Sequence, residues 1–341
     1  MANLREVAQK AGVSLAAASR IINNDPNFQC SQETREKVFA AIAALDYQKS
    51  PYKRKQISRY QIGVIMAITS AKYSDPFFST VLSTIEAHCA NLGITISYLK
   101  NYHEILSEDI LKELLNARLD GLIVMEELPE SVILALKERI LAIVAIDSNT
   151  HHFDSIGFDY VDSTFQALNH LLSLGHKRIA YLGGPSGRRS FLETKRLIAY
   201  REWHRTNNLP TEDELIVNCN WDIDQCAQAT QKLLLSNKRP DAFFAGNDTL
   251  GSVILGTIYE LGFKCPQDIA VIGFNNIPLA AHTIPPLTTI ALDSERIGEV
   301  AIKQLLSRLE KTCYYGDNPI RIYLDTQLIV RDSSGRKGSK L

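Results

Sequence analysis

The chain falls into two regimes of apolar patterning. Beyond Gln61, short apolar runs read as buried strands: "IGVIMAI" from Ile62, "ITISYL" from Ile94, "GLIVM" from Gly121 and "LAIVAID" from Leu141. The pattern returns in "RIAYLGG" from Arg178, "LIVNC" from Leu215, "DAFFAGN" from Asp241 and "IAVIGFN" from Ile269. Helical segments separate most of them, at Phe77–Asn91, Ser107–Ala117, Ser163–Leu174 and Asp248–Leu261. In the third of these, Phe165, Leu168, Leu171 and Leu172 recur at three- and four-residue spacing, which is one face of a helix. Strands alternating with helices through short Gly- or Pro-bearing joints predict parallel sheets covered on both sides. About ten strands exceed the roughly four to six of a typical sheet, so two α/β lobes are expected.

Before Gln61 the pattern is purely helical. Leu4–Lys10 predicts a short helix with Val7 and Ala8 on its inner side. Gly12 supplies a tight turn, Val13 plugs the space between helices, and Ser14 is a natural N-cap for a second helix, Leu15–Ile22. There Ala18, Ile21 and Ile22 face inward, while Leu15, Ala16 and Arg20 project outward. A third helix starts from a Ser31 cap, with Val38, Ile42 and Leu45 as its apolar stripe. Two short helices around a glycine turn, buttressed by a third, form an all-α helix-turn-helix head, whose second helix would enter the DNA major groove. A plain three-helix cap is the alternative.

Charge separates these two possibilities. Residues 1–60 carry ten Lys/Arg against five Asp/Glu, a net +5 that leaves −6 for the rest of a chain whose total is −1. Basic excess confined to the small helical segment points to a polyanion partner for that segment alone. The remaining composition, 45% hydrophobic and 22% charged over 341 residues, is that of a globular protein of two or three domains. No apolar run reaches membrane-spanning length, and no secretory h-region follows the start, so a cytoplasmic protein with no membrane association is expected. Six cysteines without a C-x-x-C pair read as free thiols in a reducing compartment.

Candidate chemistry lies at the strand ends. In parallel α/β folds, ligands sit beyond the carboxyl ends of the strands. Asp147, Asn247 and Asn275 each close an apolar strand there, which favours a polar ligand over three unrelated caps or turns. "GGPSG" at 183–187 lacks the Lys-Ser/Thr ending of a phosphate loop and reads as a strand-to-helix turn. No H-E-x-x-H, no G-x-S-x-G and no zinc-spaced Cys/His cluster is present. A non-enzyme without metal or cofactor is therefore expected.

These features together resemble the LacI/GalR family of bacterial transcription regulators. The resemblance rests on "REVAQKAGVSLAAASRIIN" near the N-terminus, "DPFF" at Asp75–Phe78, "GHKRIAYLGGP" from Gly175, "FAGND" from Phe244, "VIGFNNIPLA" from Val271 and "PPLTTI" from Pro285. It extends to Arg331 and is strongest toward regulators of galactose and β-galactoside use. It implies a helix-turn-helix head over 1–48, a hinge over 49–60 and a two-lobed, periplasmic-binding-protein-like effector and dimerisation domain over 61–332. A disordered tail is read over 333–341.

By position the resemblance makes Leu15, Ala16 and Arg20 base readers, with Arg20 suited to guanine. Ser14, Ser19, Asn23, Ser31, Thr34 and Tyr47 would approach phosphates, and Lys53, Arg54 and Lys55 would grip DNA from the hinge. Asp147, Arg196, Trp221, Asn247 and Asn275 would contact the effector. Three departures stand out. Ala17-Ala18 replaces the family's usual Thr-Val pair, Asn275 stands where aspartate is usual, and Lys55 stands where a leucine usually wedges into the minor groove. The expected protein is a homodimeric repressor of a sugar-utilisation operon, controlled by galactose or a galactoside bound between the lobes. The alternatives are a co-repressor-dependent catabolite regulator and a sugar-binding protein with no regulatory role.

Overall fold

A computed structural model describes residues 4–22, 28, 30–45, 60–68, 72, 75–101, 108–186, 190–313 and 315–335. The chain forms two compact units, Met1–Ile57 and Ser58–Leu341.

The first unit contains α1 (Leu4–Ala11), α2 (Leu15–Ile22) and α3 (Gln32–Ala44). Gly12 joins α1 to α2 with a φ of 67°, a left-handed conformation that glycine adopts without steric cost. Val13 N then donates back to Ala8 O (3.0 Å), which closes the turn. Ser14 caps α2, its hydroxyl accepting from Ala17 N at 3.1 Å, and Ser31 caps α3 by accepting from Thr34 N at 3.2 Å. Val7, Ala11, Ile21, Val38 and Ala41 make a small core, flanked by the partly buried Val13, Ile22, Ile42 and Leu45.

The second unit consists of two six-stranded sheets, as the alternating pattern predicts. The first contains β1 (Tyr60–Met66), β2 (Ile94–Asn101), β3 (Gly121–Met125), β4 (Ala142–Ile146), β5 (Asp154–Phe158) and β11 (Arg321–Leu324). They lie in the order β11-β5-β4-β3-β1-β2, all parallel. The second contains β6 (Ile179–Gly183), β7 (Ile216–Asn218), β8 (Ala242–Ala245), β9 (Ala270–Asn275), β10 (Thr288–Ala291) and β12 (Gln327–Ile329). Its order is β12-β10-β9-β8-β6-β7, parallel except for the β10–β12 pair. Strands β3, β4, β8 and β9 are buried at every position because helices cover both faces.

The helices of this unit are α4 (Pro76–Leu92), α5 (Glu108–Asn116), α6 (Glu130–Lys137), α7 (Tyr160–Ser173), α8 (Lys195–Thr206), α9 (Ile223–Leu234), α10 (Asp248–Glu260) and α11 (Ser294–Leu309). The chain passes between the lobes after β5, after β10 and between β11 and β12, so neither lobe is one continuous segment. Strands β5, β10, β11 and β12 escape the reading of apolar runs. β11 is an edge strand of alternating burial, β12 is a three-residue edge strand with no fully buried position, and β5 and β10 carry Asp, Ser and Thr at buried positions.

Two expectations need correction. The tail does not loosen at Ser333. The Ser333 hydroxyl donates to Val271 O (2.7 Å) and accepts from Thr288 N (2.8 Å). His170 Nε2 meets Ser334 Oγ, and His176 Nε2 meets Gly335 O, both at 2.8 Å. The small, polar composition that reads as disordered here serves to saturate buried backbone groups. Tyr60, assigned to the hinge, is instead the first residue of β1 and pairs with Ile94. Residues 336–341 and the rest of the hinge, with Ser50-Pro51, Lys53, Arg54 and Lys55, lie outside the described residues, as do Asn23 and Tyr47.

The first lobe has a buried electrostatic clasp. Asp154, at the start of β5, accepts from Arg308 Nε, Arg308 Nη2 and Gln304 Nε2, each at 2.6 Å, and from Ile320 N at 3.0 Å. Burial opposes its charge, but Arg308, Gln304 and Ile320 outweigh burial and hold the carboxyl below its ordinary value. Arg308 also donates to Asn318 O (2.8 Å), securing the loop that leads into β11. Replacing Arg308 by Met leaves a buried unpaired carboxylate, and chemical denaturation should show a loss of about 3–5 kcal/mol at neutral pH. Asp154 stabilises the fold above its unfolded pKa of about 3.9 and ceases to as pH falls through its lower native value, so the variant's deficit should shrink in that acid range.

Candidate functional site

The strand ends of the two lobes face each other across a cleft. The first lobe brings Lys72 and Asp75 from the segment before α4, Glu126 from the end of β3 and Asp147 from the end of β4. The second brings Trp221 from the β7–α9 turn, Asn247 from the end of β8, Asn275 from the end of β9 and Arg196 from α8. Tyr160, which opens α7 where the chain crosses between lobes, completes the wall. All five effector residues suggested by the sequence thus line one space.

Backbone strain concentrates here. Of the eight non-glycine residues with positive φ among those described, six lie at or beside the cleft: Glu126, Asp147, Asn220, Trp221, Asn275 and Asn276. Asn and Asp tolerate this region best; tryptophan and glutamate do not, so their surroundings must hold them there. Trp221 is held by its packing. A Cβ on Gly184 would come within 2.6 Å of its Cδ1, and one on Gly246 within 2.9 Å of its Cζ3. Its indole N–H donates to Pro185 O at 2.5 Å. "GGPSG" is therefore neither a phosphate cradle nor only a turn: Gly184 makes room for the tryptophan.

Polar groups in the cleft are arranged in pairs across it. Asp75 Oδ1 caps α4 through Phe77 N (2.9 Å), and Asp75 Oδ2 accepts from Asn247 Nδ2 (2.7 Å) and Asn275 Nδ2 (3.3 Å) of the other lobe. Asn247 also caps α10, its oxygen accepting from Leu250 N at 2.9 Å. Asp147 accepts from the Tyr160 hydroxyl (2.7 Å) and pairs with Lys195 (3.5 Å). Burial, then the Asp147 charge, holds the Tyr160 phenol well above its ordinary pKa, so it stays a donor at any physiological pH. The Arg196 guanidinium carbon lies 4.7 Å from the Tyr160 ring centre and 4.4 Å from that of Phe274, and its buried Nε has no hydrogen-bond partner among the described residues. A polar ligand entering the cleft therefore meets a waiting donor between aromatic faces.

Lys72, Asp75, Glu126, Tyr160 and Lys195 were not among the residues singled out from the sequence. Asp75 stood in the quoted "DPFF", where a helix cap explains it locally; its second role depends on a lobe 172 residues away. The Lys72–Glu126 pair has no sequence signal, since its partners are 54 residues apart.

Behind the cleft, Asp248 supports the β9 end. It accepts from Ile277 N (2.8 Å) and from the Thr289 hydroxyl (2.5 Å). Burial, reinforced by the Asp75 charge and opposed by these hydrogen bonds, pushes its carboxyl up to about 7. Arg331 ties the same loop to the C-terminal segment by donating to Asn276 Oδ1 (2.7 Å).

On the helical unit, Leu15, Ala16 and Arg20 are exposed along one face of α2, with Ser19 beside them, and Arg20 lies 5.5 Å from the Phe28 ring centre. Ser14, Ser31 and Thr34 sit at helix N-termini, where Ser14 and Ser31 act as caps. Backbone N–H groups and hydroxyls at such ends suit phosphate contact.

A helix-turn-helix unit followed by a two-lobed, periplasmic-binding-protein-like ligand domain defines a class of regulator. The family model "Bacterial regulatory proteins, lacI family" matches residues 3–50, and "Periplasmic binding protein-like domain" matches 168–334. The HTH-type transcriptional repressor MelR of Bacillus subtilis is 30% identical, with 98% of each chain covered. The HTH-type transcriptional repressor PurR of Photobacterium profundum is also 30% identical over 98% of each. Among solved structures, the transcriptional regulator CelR–cellobiose complex superposes with a TM-score of 0.71 at 25% identity, covering 98% of this chain and 100% of that one. The lac repressor dimer bound to operator and the anti-inducer ONPF gives 0.70 at 26% identity, covering 98% and 99%. The chain belongs to the lacI family of bacterial regulatory proteins.

Two substitutions probe the site's construction. Gly184→Ala puts a methyl group into Trp221, and emission spectra should show the tryptophan displaced toward water, with stability lower by about 1–3 kcal/mol. Asp248→Asn preserves both hydrogen bonds, its amide oxygen accepting from Ile277 N and its NH2 donating to Thr289. Because wild-type Asp248 holds a proton that the unfolded chain releases, its contribution to stability declines as pH rises from about 4 toward 7. Denaturation across that range should show a flatter profile for the variant.

Proposed function

We propose that the protein is a sequence-specific repressor of a sugar-utilisation operon. It acts as a homodimer on a pseudo-palindromic operator, with galactose or a galactoside as effector in the cleft. It has no catalytic role. The observation that carries the reading is the pairing of Trp221, seated between glycines, with Asp147, Arg196, Asn247 and Asn275 around one cleft. An indole packs on the apolar face of a pyranose, while carboxylate, amide and guanidinium groups bind its hydroxyls. The likeness to the cellobiose-bound CelR structure supports a carbohydrate. On the helical unit, Leu15, Ala16 and Arg20 read bases, while Ser14, Ser19, Asn23, Ser31, Thr34 and Tyr47 approach phosphates. The hinge residues Lys53, Arg54 and Lys55 add basic contacts.

A purine base is the second reading. Several relatives are repressors named PurR, and Tyr160 and Phe274, with Arg196 against both rings, are the aromatic surfaces on which a flat base would stack. Under either reading, the effector changes DNA affinity only through its preference for one lobe arrangement. A tenfold change corresponds to about 1.4 kcal/mol of coupling.

The test is a titration of the protein onto DNA from upstream of its own gene and neighbouring sugar-use genes. It is run at fixed salt with galactose, lactose, related sugars and purine bases in turn. Release or tightening by a sugar supports the proposal; a response only to a purine replaces it with the second reading. Specific binding with no small-molecule response points to a protein co-repressor. Arg20→Ala should reduce the preference for operator over scrambled DNA by about 1–3 kcal/mol while leaving effector binding unchanged.

A further inference from the structure

The effector cleft already holds a cation of the protein's own. Lys72 is 6% exposed, and its ammonium forms an ion pair with Glu126, which is buried as well. The same nitrogen lies 5.0 Å from the Trp221 ring centre, 5.9 Å from that of Phe78 and 3.4 Å from Ser186 Oγ. Lys72, Glu126 and Phe78 belong to the first lobe; Trp221 and Ser186 belong to the second. One charge is thus gripped from both sides of the cleft, on the tryptophan that a sugar needs.

The remaining space agrees with this. The cleft around Lys72 and Trp221 keeps a cavity of about 20 Å³, and the adjoining one beside Lys195 about 30 Å³. Each is near the volume of a water molecule and far below the roughly 300–1,000 Å³ of clefts that enclose small ligands. The protein's own side chains fill the site. Glu126 compensates the lysine's desolvation, and the indole face adds a cation–π contact.

We infer that Lys72 is a tethered occupant of the effector cleft: it holds the lobes together when no effector is bound, and an effector binds by displacing it from Trp221. This rests on reading the cleft as the effector site. The exchange also constrains the ligand. The ligand takes the place Lys72 vacates beside Glu126 Oε1, which also lies 3.5 Å from the Ser186 hydroxyl, so it presents hydroxyl or N–H groups there and an apolar face to Trp221.

The test uses the full-length protein in a Trp203→Phe background, where Trp221 is the sole tryptophan, and measures acrylamide quenching without effector. Lys72→Met is compared with Lys72→Met/Glu126→Gln, which removes both charges of the pair together if the single variant folds poorly. Lys72→Arg keeps the charge. Quenching should rise in the two Met variants and stay near wild type in Lys72→Arg. Galactose or lactose affinity should rise by about tenfold if the closed form makes up nine-tenths of the free protein. Unchanged quenching in the folded double variant overturns the inference, as does sugar affinity that falls when Lys72 is removed. If no sugar binds wild type or variants, the sugar reading fails, while the quenching comparison still decides the role of Lys72.

Discussion

A single carboxylate, Asp75, carries much of the joint between the lobes. One oxygen caps α4 and so orients the first-lobe side of the cleft; the other receives the amides of Asn247 and Asn275 from two strand ends of the second lobe. Each of these partners has a local duty too, Asn247 as the cap of α10 and Asn275 as the left-handed end of β9. The groups that close the cleft are therefore the same groups that terminate secondary structure. A ligand that competes for them changes the relation between lobes, the physical condition for coupling binding to a change of state.

The cleft's location follows from topology. In each sheet the parallel strands end on one side, and their left-handed ends, short glycines and helix N-termini gather there. Two such sheets linked by three crossings place one set of strand ends against the other. The strained backbones of Glu126, Asp147 and Trp221 persist because the surrounding contacts hold them, as Gly184 and Gly246 do for the indole and Tyr160 for Asp147. Glycine here serves space more than flexibility: Gly183, Gly184 and Gly246 give no positive φ but admit side chains against the backbone.

Much of this was legible along the chain, and what was not has a common cause. The head helices, their Ser14 and Ser31 caps and the Gly12 turn are set by neighbours within a few residues, and the sequence reading places them closely. Most inner strands announce themselves because burial on both faces favours unbroken apolar runs, whereas β10 buries Thr288 and Thr289 instead. β11 and β12 give no such signal, being short edge strands with no fully buried position, and β5 hides behind Asp154, whose charge is accommodated by Arg308 and Gln304 from α11 and by the Ile320 N–H. Ser333 and Ser334 look like loose tail until Val271, Thr288 and His170 are found to use their hydroxyls.

By itself the sequence determined the three head helices, the alternating α/β character carried by the apolar strands, the separate basic head and the polar strand ends at Asp147, Asn247 and Asn275. These depend on periodicity, local capping and residue character, all short-range properties. Only the tertiary structure decided that Asp75 bridges the lobes, that Lys72 pairs with Glu126 over Trp221, and that Tyr160 and Phe274 flank Arg196. Those contacts join residues tens to hundreds of positions apart. Their existence depends on how two sheets meet, a matter of packing that no local pattern encodes.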